Sequence, residues 1–175
     1  MLDSSYPFYF VMNEKGDADN GILTVKLYRF KSTKSKITYI VRVEIYQNHV
    51  YAVKFYTKNS RHSKNKYSLM TNTNEPRFII HTCINIMLSI YKNDKMASFG
   101  FIGASSINED STYCTKRYRV YSKIVATYFS DENFYHKENK NKSAYMLINN
   151  KTLANNPKLI EDIESFFIEQ YDYFN

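Results

Sequence analysis

The stretch FGFIGASS (99–106) holds two of the chain's four glycines, Gly100 and Gly103. Glycines just ahead of a helix are what a phosphate cradle needs, because only a residue without Cβ lets backbone N–H groups close around an anion. The spacing G-x-x-G-A fits neither the Walker loop nor the dinucleotide fingerprint. The helix that follows is expected to begin only near Thr112, too far on to aim its first N–H groups at a phosphate on Gly103. Gly100 lies inside an apolar strand pattern, where glycine marks a bulge or a close neighbour. Gly103 reads as the turn that ends the strand.

Other reactive side chains are scattered. His49, His62, His81 and His136 form no H-x-x-x-H pair, and a metal site needs three or four ligands that converge. His81 falls on an apolar helical run and is expected as a core histidine bonded to a backbone carbonyl. Cys83 lies in the same run and reads as a small core residue. Cys114 and His136 would make a nucleophile and base only if the fold brought them together. Glu161, Asp162 and Glu164 stand in the first turns of the last helical pattern, where they favour its dipole. No catalytic residue, metal or cofactor is implied.

Charge placement is more informative. Between Asn20 and Asn74 there are eleven Lys and Arg against one acid, Glu44, so 55 residues carry +10 where the whole chain carries +7. From Pro157 to the end, one Lys faces five acids. Lys, Asn, Tyr, Ile and Phe make up 81 of 175 residues, and all five have A/T-rich codons. That bias accounts for the abundance of lysine, but it would not segregate the two signs. In KFYTKNSRHSKNKY (54–67), the cations Lys54, Lys58, Arg61, Lys64 and Lys66 are interleaved with Tyr56 and Tyr67. Such a mixture suits a phosphate backbone, with rings available for stacking. A second cationic cluster, Lys116, Arg117 and Arg119, falls in the first turns of a predicted helix. No sequence-specific nucleic-acid signature accompanies either cluster.

These residues must be placed by elements that change period part-way along the chain. Alternation in 22–30, 36–46 and 49–56 predicts three antiparallel strands with one covered and one wetter face, the last two joined by a tight turn at Gln47-Asn48. YPFYFV (6–11) reads as an edge strand, since Pro7 cannot donate to a central ladder. Helices are expected over 75–91 and 115–129, and over 156–174 with Asn156 as N-cap and Pro157 in the first turn. Short strands are expected at 96–104 and 143–150, and loops at 57–75 and 137–143. The prediction is one α+β domain over 1–175, an antiparallel-rich mixed sheet packed by about three helices. Asp3 and the short apolar run broken by Pro7 argue against a signal peptide. No run approaches the length of a membrane span, so a cytoplasmic protein with no membrane contact is expected.

The order of elements, a meander of strands followed by helix, strand, helix and strand over about residues 22–150, resembles the later part of the GNAT acyltransferase fold. In that family a glycine-containing loop, Q/R-x-x-G-x-G/A, precedes the central helix and holds the phosphates of acyl-CoA. The matching stretch here, YTKNSRHSKNKYSLMTNTNEPR (56–77), has no glycine. The resemblance therefore implies the scaffold without its cofactor site. The leading expectation is a non-catalytic basic module that engages nucleic acid or an acidic protein surface, in keeping with a phage or mobile-element accessory protein. Two alternatives are an acyl-CoA-dependent enzyme with a non-standard donor site and a homo-oligomer that uses an aromatic sheet face.

Overall fold

The computed structural model describes residues 4–68, 73–102 and 113–172, with side chains through 165. The fold is α+β. Seven strands, β1 (Phe8–Asp17), β2 (Ile22–Lys31), β3 (Thr38–Tyr46), β4 (Val50–Thr57), β5 (Ser98–Ile102), β6 (Phe134–Asn139) and β7 (Ala144–Asn149), form one sheet in the order β1-β2-β3-β4-β5-β7-β6. The one parallel pair is β4 with β5, bridged by helix α1 (Pro76–Asn93); every other neighbour is antiparallel. Helix α2 (Lys116–Tyr128) separates β5 from β6, and helices α3 (Asn150–Asn155) and α4 (Leu159–Asp172) follow β7.

Period two sends alternate side chains to opposite faces of the sheet. On the first face Phe30, Tyr39, Val41, Val43, Phe99, Tyr145 and Leu147 pack beneath α1 and α2. α1 is buried over so wide an arc, Ile79 to Met87 without a break, because it crosses the middle of that face. Thr115 caps α2 by accepting a hydrogen bond from the Tyr118 N–H. The second face, expected from 36–46 to be the wetter one, carries a core of its own: Val25, Tyr46, Val50, Ala52, Met146 and Ile148 meet Leu159 and Ile163 of α4. Alternation in 22–30 predicts Leu23, Val25 and Leu27 on the covered side and Tyr28 on the other; Tyr28 instead packs in the first core and Leu23 is 57% exposed.

Several boundaries differ from the sequence reading. β1 runs six residues past Val11, through a register shift between Phe10 and Met12, into the polar NEKGD. Just before it turns back, Gly16 packs so closely against β2 that a Cβ there would collide with the Ile22 and Leu23 carbonyl groups. The stretch 137–143 was read as a loop; residues 134–139 are the edge strand β6, whose Lys137 and Glu138 are the charges an unpaired edge carries. Asn156 ends α3 and does not cap α4, which begins two residues after Pro157. Of FGFIGASS, Phe99–Ile102 belong to β5, and Gly103–Ser106 lie outside the described residues.

Candidate functional site

The cationic stretch 54–67 begins as the end of β4, and its members have separate fates. Lys54 lies on the second sheet face with its Nζ 2.7 Å from Glu44 Oε2. Glu44, the one acid of the basic region, is 4% exposed and also receives Arg42 Nε at 2.9 Å and the Tyr46 hydroxyl at 2.9 Å. Arg42 reaches on to Glu14 at 2.7 Å, so Glu14, Arg42, Glu44 and Lys54 form a chain of alternating charge across β1, β3 and β4. Burial works against ionisation of Glu44, but Lys54, Arg42 and Tyr46 together hold its carboxyl below its ordinary value.

Beyond β4, a 3₁₀ turn at Lys58–Ser60 starts the chain back over the same face. The Tyr56 and Tyr67 rings meet edge to face at 5.6 Å, and Lys66 sits over both, 4.8 and 5.2 Å from their centroids. Desolvation there lowers the Lys66 pKa and pushes up those of Tyr67 and Tyr56. Three predicted contact residues, Lys58, Arg61 and Lys64, are exposed along the segment between these anchors.

Two members of the second cluster, Arg117 and Arg119, make hydrogen bonds within the chain. Arg117 donates from Nη1 to the Tyr67 carbonyl, which ties α2 to the returning segment. Arg119 Nη1 donates to the Cys114 carbonyl at 2.7 Å, and Lys116 is exposed in the first turn of α2. The structure thus brings Lys54, Tyr56, Lys66, Tyr67 and Arg117 together as a scaffold that carries the exposed Lys58, Arg61 and Lys64.

Reading charge along the chain did not reveal the continuation of this surface. Tyr9, Arg29, Ile40 and Tyr56 are successive cross-strand neighbours on β1 to β4. Tyr9 is 62% exposed, and Arg29 and the next residue on that face of β2, Lys31, are exposed as well. Tyr28 and Phe30 pack inward and so turn Arg29 and Lys31 outward; the signal in the sequence was the alternation of aromatic and cation in Tyr28-Arg29-Phe30-Lys31.

A second place suited to an anion is closed. The N-terminus of α1 holds Glu75, 3% exposed, whose Oε2 accepts the Tyr6 hydroxyl at 2.5 Å and the Ser32 hydroxyl at 2.7 Å. Burial alone would raise its pKa, but hydrogen bonds from Ser32, Ser35, Tyr6 and Thr73 outweigh it and bring the carboxyl to about 2. The chain's own carboxylate therefore fills the position that favours negative charge.

His62 is exposed in the cationic segment, and the other histidines and Cys83 make contacts within the fold. His81 is buried, bonded to the Ser4 backbone and edge-on to Tyr128 at 5.3 Å. His49 and Tyr51 share Asp94 Oδ2 at 2.8 and 2.7 Å. His136 bonds the Tyr145 hydroxyl at 2.7 Å and lies 3.4 Å from Asp131. Cys83 is a core residue whose thiol is pushed up to about 12 by burial. Among the described residues no His, Cys, Asp and Glu converge as a metal site, and no helix is long and apolar enough to cross a membrane. The chain matches no family model, no curated protein and no solved structure.

Proposed function

We propose that the protein is a non-catalytic basic module that binds nucleic acid, gripping phosphates with the segment that returns from β4. The observation that carries this reading is the division of labour in 54–67. Lys54 and Lys66 are committed to Glu44 and to the tyrosine rings, whereas Lys58, Arg61 and Lys64 are held out on that scaffold in solvent. An exposed cation row on an anchored segment is suited to phosphate, because release of condensed counterions supplies the affinity. The test is binding of labelled DNA and RNA oligonucleotides between about 50 and about 200 mM salt, with Lys58, Arg61 and Lys64 changed together to alanine. The wild type should lose affinity steeply, and the triple variant should show a plot of log affinity against log salt that is shallower by about two. Failure to bind at the lowest salt would refute the reading.

The order of elements also favours a relation to the GNAT scaffold, with a meander leading through α1 to β5 and α2. We infer a relation to that scaffold without its chemistry. An acyl-CoA pyrophosphate at the start of α1 would meet the Glu75 carboxylate, like charge against like in a buried setting. A millimolar addition of CoA is therefore expected to leave the melting temperature unchanged, since only a ligand of the folded state raises it.

A further inference from the structure

The exposed cations of 58–64 would suit any polyanion, whereas the sheet beside them combines cations with exposed apolar surface. From the register, Tyr9, Arg29, Ile40 and Tyr56 form one row across β1 to β4, with Lys31 following Arg29 on the same face. Adjacent strands stand about 4.8 Å apart, so the backbone positions of Tyr9 and Tyr56 are separated by about 14 Å. Tyr9 and Arg29 are open to solvent, and Ile40 and Tyr56 are half-buried. Tyr56 ends the row one residue before β4 closes, and the turn at Lys58–Ser60 leads directly into Arg61, so the cationic segment borders the end of the row.

We propose that this row is a platform for single-stranded nucleic acid, with bases laid on Tyr9 and against Ile40 and phosphates held by Arg29, Lys31 and Arg61. The inference rests on the nucleic-acid reading above and adds the strandedness and the face. Three alternative occupants fit less well. A duplex keeps its bases stacked inside and would use only the cations. An acidic peptide carries a flat ring only where its sequence supplies one, whereas every nucleotide offers one to Tyr9 and Ile40. A second copy of this chain would set Arg29 and Lys31 against their own kind. A single strand offers both chemistries, stacking faces and regularly spaced charge.

The experiment uses the full chain, fluorescein-labelled oligo(dT) and oligo(U) of about 12 nucleotides, and a duplex of the same length. The single strands should bind at least tenfold more tightly than the duplex. Tyr9→Ala should weaken single-strand binding about tenfold with the salt slope unchanged, as loss of one stacked base requires. Tyr9→Phe should restore it, which a loss of fold would not allow. Polyglutamate at equal charge concentration should compete poorly. Equal binding of duplex and single strand with wild-type affinity for Tyr9→Ala would overturn the platform, while a loss in the 58–64 triple variant would leave the basic-module reading intact. Efficient displacement by polyglutamate would also overturn it and point to an acidic protein. No binding of any oligonucleotide would remove both proposals.

Discussion

The second face of the sheet is treated in two ways along its length. At one end Val25, Tyr46, Val50, Ala52, Met146 and Ile148 are sealed by Leu159 and Ile163 of α4. At the other, Tyr9 and Arg29 stand uncovered beside the cationic segment. Between them runs the chain from Glu14 to Lys54, with its innermost member, Glu44, at the margin of the sealed part. An uninterrupted apolar face would have invited a helix over its whole length. A row of paired charges lets the core stop while the strands continue, and the free length of β1 to β4 is then available for a partner.

The largest effect should come from the sealed end. Leu159 is 1% exposed, and Leu159→Ala is expected to destabilise the protein by about 3 kcal/mol in urea unfolding. If the face were held together mainly by its ions, the loss would be far smaller. Next, Glu44→Ala removes the shared partner of Arg42 and Lys54 and should cost about 3 kcal/mol or somewhat less, since both cations remain partly exposed. Simultaneous replacement of Arg42, Glu44 and Lys54 by apolar residues of similar volume should recover much of that loss. This recovery would show that the chain marks a border and is not itself the main source of stability.

A third effect depends on pH and concerns the closed anion position. Glu75 has its pKa lowered in the fold to about 2 from the ordinary 4.5, so its contribution is fully present above about pH 4.5 and is lost as pH falls towards 2. Glu75→Gln should be less stable than wild type by about 2 kcal/mol at neutral pH. Its melting temperature should change less between pH 4.5 and pH 2 than that of the wild type, because the titrating group is gone. Parallel curves for the two proteins would contradict the assignment. The smallest effect on folding is at the open end. Changing Lys58, Arg61 and Lys64 to alanine should alter stability by no more than about 0.5 kcal/mol while it weakens oligonucleotide binding.

Much of this arrangement was legible in the sequence. Strict alternation in KITYIVRVEIY placed Tyr39, Val41 and Val43 on the face that α1 and α2 cover, as found. The helices expected over 75–91 and 115–129 begin within a residue of α1 and α2. What alternation does not show is whether the opposite face is covered as well. Arg42 and Glu44 read as a wet face, although Glu44 lies buried at the edge of a second core, because the helix that builds that core is more than a hundred residues away in the chain. The edge strand β6 was hidden for a different reason: the charges that protect an open edge erase the strand pattern. At the candidate site, the charge count located the cationic segment. It could not separate Lys54 and Lys66, which are used internally, from Lys58, Arg61 and Lys64, and it missed Tyr9 with Arg29, whose juxtaposition exists only through the register.

The central claim, that a strand of nucleic acid lies on the open half of the face and not at the start of α1, is tested most directly by amide hydrogen exchange with and without bound oligo(U). The account predicts slowed exchange in β1 to β3 around Tyr9, Arg29 and Ile40 and in residues 58–64, with α4 and the first turn of α1 unchanged. Protection centred on the first turn of α1, or spread over α4, would contradict it.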